Sequence, residues 1–183
     1  MKLDCDSGWI EGVGHEPSPN CSPRPANSEI ELIVIHNISL PPQQYEGCWI
    51  TDLFLNRLDP EAHPYFQEIA HLEVSAHLLI RREGAIIQYV PFNMAAWHAG
   101  QSSFNGKERC NEFSIGIELE GSDFDQFTEK QYETLINITN LLISHYPCIK
   151  KGNITGHSDI APGRKTDPGP YFDWERVTSN LKW

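Results

Sequence analysis

Hydrophobic positions along the chain fall into a few stretches with clear periods. Ile30-Glu31-Leu32-Ile33-Val34-Ile35 is a β-branched run nearly apolar on both faces, the pattern of a strand inside a sheet covered on both sides, and it stops at His36-Asn37. Val74 to Ile80 predicts a second strand, Arg81-Arg82-Glu83-Gly84 a turn, and Ile86 to Val90 its hairpin partner. From Phe113 to Glu120 the period is two. Phe113, Ile115, Ile117 and Leu119 face one way, while Ser114, Gly116, Glu118 and Glu120 face the other, where small residues beside a carboxylate leave room above the sheet. The period then changes to helical. Thr128 and Gln131 have capping-box spacing, and Tyr132, Leu135, Ile138, Thr139, Leu142 and Tyr146 recur on one face until Pro147. A last short helix is predicted from Asp173, burying Trp174, Val177 and Leu181. The sum is an α/β fold, a mixed central β-sheet flanked by helices.

Between these elements the pattern is irregular. Residues 1–28 read as an irregular N-terminal arm, with Pro17, Pro19, Pro23 and Pro25 spaced through it. Residues 40–72 form a long connection opening on Pro41-Pro42, in which Ile50, Leu53, Phe54 and Leu58 suggest a short helix ended before Pro60. Connections of this length inside a compact domain are usually functional, so this one is a candidate lid. The whole of 1–183 fits one domain, large enough to bury roughly 70% of its unfolded surface around a single core.

Charge narrows the partners. Asp and Glu number 25 against 14 Lys and Arg, a formal net charge of −11 with histidines neutral. That field disfavours nucleic-acid phosphates and anionic membranes. No apolar run exceeds four residues, so no transmembrane helix is expected. Asp4, Asp6 and Glu11 stand where a secretory signal would need an apolar stretch, which points to the cytoplasm. Five cysteines without a C-x-x-C pair read as reduced thiols, and the sequons at Asn37, Asn137 and Asn153 carry no weight without export.

Eight histidines invite a metal site. His15, His71 and His145 sit in polar or helix-end contexts typical of surface residues, and His63 precedes Pro64 with no partner evident in the sequence. His36 differs because it lies where a buried strand emerges, a common position for functional side chains. The Gly- and Pro-rich stretch from Thr155 to Pro170 is a shaped loop that concentrates His157, Lys165 and Asp167. Two imidazoles and one carboxylate are a frequent protein contribution to a catalytic zinc site with an open fourth position. The alternative is a plain Asp-Pro-Gly turn beside a histidine that caps a loop. Glu118 is a candidate general base, with Glu120 on the same face an equal one. Lys165 is either an oxyanion stabiliser or an ordinary solvated lysine.

Five segments together resemble a known family: Val34 to Ser39, Ser75 to Ile80, Ala96 to Gly100, Phe113 to Gly121, and the loop from Gly156 to Gly169. They are similar, in order and over nearly the whole chain, to the zinc-dependent type 2 N-acetylmuramoyl-L-alanine amidases, relatives of the peptidoglycan recognition proteins, and most of all to their cytoplasmic members. The resemblance implies one Zn2+ per chain held by His36, His157 and Asp167, with Glu118 and not Glu120 as general base and Lys165 stabilising the transition state. It places Asn37, Tyr65, His77, Trp97 and Arg109 along the substrate cleft. The implied reaction cleaves the amide between the lactyl group of 1,6-anhydro-N-acetylmuramic acid and L-alanine of the stem peptide, for cell-wall recycling, with an indirect effect on β-lactamase induction. A small-molecule anhydro-muropeptide is then the partner, with no nucleic acid or membrane, and the chain is expected to be a monomer. A non-catalytic peptidoglycan-binding module should lack one of the three ligands. A wall-lytic amidase should carry an export or wall-binding segment. The N-terminal arm, with Cys5 and Cys21, matches the family least well.

Overall fold

The computed structural model describes residues 1–183. Six strands make the central sheet: β1 (Gly14–His15), β2 (Leu32–Ile38), β3 (Leu78–Ile80), β4 (Ile86–Gln88), β5 (Ser114–Glu120) and β6 (Ile154–Gly156), in the order β6-β2-β5-β3-β4-β1. Strands β6, β2, β5 and β3 are mutually parallel, β3 and β4 form an antiparallel hairpin, and β1 runs parallel to β4. The helices are α1 (Trp49–Phe54), α2 (Phe66–Ile69), α3 (Glu129–His145), α4 (His157–Ile160) and α5 (Trp174–Thr178). The expected mixed sheet with flanking helices is therefore present. No helix is long and apolar enough to cross a membrane.

The core sits between α3 and one face of the sheet. Ile115, Ile117 and Leu119 of β5 join Ile33, Ile35, Leu78 and Ile80 beneath Tyr132, Leu135, Ile138 and Leu142 of α3, in a cluster of 20 buried residues. The capping box is closed in both directions: Thr128 Oγ1 accepts from the Gln131 N–H, and Gln131 Oε1 accepts from the Thr128 N–H. Gln131 Nε2 donates to the Ile80 and Glu120 carbonyls, so the same side chain that starts the helix ties it to the sheet. Val177 of α5 is fully buried as expected, whereas Trp174 and Leu181 are only partly so.

Three boundaries differ from the sequence pattern. Strand β2 does not end at His36-Asn37, because pairing with β5 carries it on to Ile38. The ladder of β3 begins at Leu78. Before it, Ser75 Oγ donates to the Asn20 carbonyl and accepts from Trp97 N–H, adding side-chain bonds to the backbone bond from Ser75 N–H to the Trp97 carbonyl. The arm is also more ordered than its prolines suggest. It supplies β1, and Cys21–Pro23 pairs with Met94–Ala96.

Residues 40–72 form one wall of the cleft. Ile50, Leu53 and Phe54 of α1, with Leu58 and Phe66, pack on Leu79, Tyr89 and Val90 in a second cluster of 11 buried residues. The Phe54 carbonyl accepts from Ser18 Oγ and Asn20 Nδ2, pinning α1 to the arm. An element that buries this much apolar surface loses it on opening.

Arg24 fastens the arm to the sheet. Its guanidinium donates to the carbonyls of Phe92, Asn111, Glu112 and Ser114, and none of its partners is a carboxylate. Burial pulls its pKa down to about 10. Arg24→Leu strands several acceptors at a cost of about 1–3 kcal/mol each where water cannot reach. We expect a loss of about 3 kcal/mol or more, read as a lower urea midpoint at unchanged m-value. A loss under about 1 kcal/mol would mean that water replaces the guanidinium.

Candidate active site and metal centre

Strand register assembles the site. Glu118 of β5 lies directly abreast of His36 of β2, and Gly156 of β6 lies abreast of Ile35. His157, the next residue, therefore arrives beside His36 on its other side. The loop beyond α4 folds back, with Ser158 N–H donating to the Asp167 carbonyl at 3.0 Å, and delivers the third group. His36 Nδ1 is 3.0 Å from His157 Nδ1 and 3.0 Å from Asp167 Oδ2, and His157 Nδ1 is 3.1 Å from the same oxygen.

These three atoms fit a metal ion. Both histidines are buried, and His157 Nε2 faces the Ala99 carbonyl at 3.1 Å, which can only accept. His157 Nδ1 is then a bare lone pair, directed at a second nitrogen and a carboxylate oxygen. Such a concentration of lone pairs requires a cation or a shared proton to hold it together. Two imidazole nitrogens and one carboxylate oxygen are a donor set that zinc takes in catalytic sites. Electrostatics agree with ligand duty, since ligating imidazoles must be neutral and carboxylates ionised. Burial pulls His36 down to about 4 even though Asp167 opposes the shift. Burial alone would raise Asp167, but its close contacts with the His157 and His36 imidazoles hold it below the ordinary carboxylate range.

The two carboxylates of β5 separate clearly. Glu118 Oε2 is buried with no hydrogen-bond partner. Burial raises its pKa well above the usual value and the charge of Asp167 adds to this, with Lys165 pulling the other way. Glu120 is consumed by structure: it accepts from the Glu46 and Arg82 backbone N–H groups and pairs with Arg81 at 3.3 Å. Only Glu118 is free to exchange a proton with something in the cleft.

The cleft holds about 350 Å³. His36, Glu118, His157, Lys165 and Asp167 line its polar side together with Asn37, Tyr65 and Trp97, and Leu53, Phe54, Ile69 and Leu72 from the wall give it an apolar side. Asn37 is held by a 2.7 Å bond to Asp123 Oδ1, and Trp97 Nε1 donates to Ser22 Oγ. Two expected lining residues lie elsewhere. His77 is fully buried, its Nδ1 accepting from Gly116 N–H and its Nε2 facing the Met94 carbonyl, so it braces the sheet. Arg109 is exposed, pairs with Glu112, and borders a separate depression of about 420 Å³ with Arg164. One residue emerges only from the structure. His98 also lines the cleft and lies against His36, but in the sequence it stands in an apolar stretch with no ligand-like spacing.

The raised pKa of Glu118 has a stability consequence. A carboxyl with a higher pKa folded than unfolded leaves stability intact below the unfolded value, near 4.5, and erodes it as pH rises toward the folded value. Glu118→Gln copies the protonated form. In chelator-treated protein we expect the variant to melt at a higher temperature than the parent near about pH 7, with the two curves converging below about pH 4. A lower melting temperature for the variant near neutrality would show that ionised Glu118 is already satisfied in the fold.

Comparison with known proteins places this geometry. Residues 26–170 match the family model described as N-acetylmuramoyl-L-alanine amidase, a span that contains His36, Glu118, His157, Lys165 and Asp167. The chain is 57% identical over 176 residues to the 1,6-anhydro-N-acetylmuramyl-L-alanine amidase AmpD of Enterobacter cloacae, covering 96% of this chain and 94% of that protein. It is 52% identical to AmpD of Haemophilus influenzae, over 98% and 97%. A crystal structure of a selenomethionine AmpD derivative superposes with a TM-score of 0.95 at 55% identity, over the full length of both chains. The amidase AmiD of Escherichia coli, solved in complex with anhydro-N-acetylmuramic acid-L-Ala-D-γ-Glu-L-Lys, has a TM-score of 0.62 at 29% identity, covering 87% of this chain and 62% of that one. A match across most of the chain, with His36, Glu118, His157 and Asp167 inside it, shows that the chain belongs to the N-acetylmuramoyl-L-alanine amidase family.

Proposed function

We propose that the protein is a zinc-dependent amidase that hydrolyses the bond between the lactyl group of 1,6-anhydro-N-acetylmuramic acid and L-alanine of the stem peptide. It acts in the cytoplasm, as a monomer, on soluble muropeptides released for cell-wall recycling, and so has an indirect effect on β-lactamase induction. The observation that carries this reading is the meeting, in one cleft, of three converging ligand atoms with a partnerless buried carboxylate oxygen. High identity to proteins named for the anhydro sugar supports the substrate.

His36, His157 and Asp167 would hold one Zn2+, which when bound supplies Lewis acidity toward the scissile carbonyl and acidifies water. The remaining chemistry belongs to the chain. Glu118 takes a proton from the attacking water and returns it to the nitrogen of L-alanine as the C–N bond breaks, leaving a lactyl carboxylate and a free amine. Its raised pKa brings it toward the operating pH, where a group that both accepts and donates works best. The Lys165 ammonium, exposed at the rim of the cleft, faces the carbonyl oxygen as it gains charge. Asn37, Tyr65 and Trp97 orient the sugar and lactyl group, and Arg109 in the neighbouring depression offers a cation to stem-peptide carboxylates. His77 supports these groups through the bond its Nδ1 accepts from the Gly116 N–H of β5. The acidic net charge suits a small soluble substrate better than the anionic wall polymer.

The direct assay compares peptide release from anhydro-muropeptide with release from intact peptidoglycan. We expect rapid turnover of the soluble substrate, little on the polymer, and loss of activity with chelator that zinc restores. Equal or greater activity on the polymer, or full activity in verified metal-free protein, would overturn the reading. Glu118→Gln should retain zinc while kcat falls about 10² to 10⁴-fold, whereas Glu120→Gln should lower stability far more than kcat. Lys165→Met should lower kcat and kcat/KM by similar factors, on the order of 10². A raised KM at unchanged kcat would make Lys165 a binding residue only.

A further inference from the structure

We propose that His98 is the positioning residue that sets the tautomer of His36, as the middle link of a hydrogen-bond chain ending on the Cys110 carbonyl. The inference takes from the functional reading only that His36 is a metal ligand.

The direction of the chain follows from counting protons. The Cys110 carbonyl accepts only, and the Ser114 hydroxyl donates its single proton there at 2.5 Å. Ser114 Oγ is then an acceptor for its other neighbour, His98 Nε2, at 3.0 Å, so that nitrogen carries a hydrogen. A neutral imidazole has one N–H, which leaves His98 Nδ1 bare. His36 Nε2 lies 2.9 Å away and must donate to it. His36 Nδ1 is left without a proton on the side that faces His157 and Asp167. The opposite orientation would put a proton on His36 Nδ1, where it would bond Asp167 and compete with a metal ion for the same lone pair.

The surroundings are built around His98. Gly116 makes room for the ring, since a Cβ at that position would stand 2.4 Å from His98 Cγ. The Asn111 side-chain oxygen accepts from the backbone N–H groups of both His98 and Ala99, at 3.1 and 2.8 Å. The Ala99 carbonyl is the acceptor for His157 Nε2. One two-residue segment, pinned by one carboxamide, therefore serves both imidazoles: His98 by its ring and Ala99 by its backbone. Partners of this kind behind a ligating histidine hold the ring's orientation and raise its basicity.

Zinc affinity, measured by competition with a chromophoric chelator, separates this role from packing. His98→Leu keeps an apolar side chain of similar bulk but removes the acceptor, and should weaken zinc binding by about 10- to 100-fold. His98→Asn places a carbonyl oxygen near the position of Nδ1 and should recover most of that loss, the reverse of what a packing role predicts. Ser114→Ala, the gentler change, should weaken binding less and leave His98 in mixed tautomers. Nitrogen NMR of the zinc-loaded parent reads the chain directly: both His36 and His98 should carry hydrogen on Nε2. Hydrogen on His98 Nδ1 in that sample overturns the proposal even if the variants fail to fold. So does unchanged affinity in both His98→Leu and Ser114→Ala while His36→Ala abolishes binding. Unchanged affinity in His36→Ala would remove the ligand assignment itself.

Discussion

The parallel register of three adjacent strands is the constraint on which the site depends. β2 carries His36, β5 sets Glu118 beside it, and β6 ends one residue short of bringing His157 to its other flank. A slip of one residue in either pairing would turn a functional side chain to the opposite face of the sheet, among the leucines and isoleucines under α3. The core therefore enforces the chemistry. Ile33, Ile35, Ile115, Ile117 and Leu119 cannot leave their face without exposing a large apolar area, and their alternation with Val34, His36, Gly116 and Glu118 carries the polar set with them.

The polar face must then solve a desolvation problem. Isolated charges are costly in such a place, and buried polar groups are ordinarily hydrogen-bonded. Nearly every group here has found a partner: Glu120 has Arg81 and two backbone amides, His77 has Gly116 and Met94, and Arg24 has four carbonyls. Glu118 Oε2 stands out because one polar atom facing the cleft has been left without one. Its neighbours are satisfied, and a perturbed carboxyl left open to a cleft is the kind of group found at functional sites.

Local patterns made much of this legible in the sequence. The alternation from Phe113 to Glu120 and the Thr128–Gln131 cap are properties of a few consecutive residues, and both are present as read. The clustering of His157, Lys165 and Asp167 in a Gly-Pro loop is local in the same way, and the structure brings all three to the cleft. What depends on tertiary partners was not legible. Nothing near Arg24 announces that four carbonyls await it, since those belong to residues 68 to 90 positions away. His77 and His98 are both histidines in apolar stretches of one chain segment. Only the fold distinguishes the one that braces a strand from the one that backs His36. Residues 40–72 have the length of a lid, and only the fold shows the core they share with Tyr89 and Val90.

The separation between the ligating groups bears on how the protein comes into being. His36 and Asp167 are 131 positions apart, and the last strand to join the sheet pairs with the second. Contacts of such range carry a large loop-closure entropy, the kind of cost that slows folding. A chain emerging from the ribosome therefore exposes His36 long before His157 and Asp167 exist, and the three cannot meet on any partial product that lacks the final loop. The meeting of these three side chains is in that sense a late event in the life of the molecule, available only to chains whose final loop has been made.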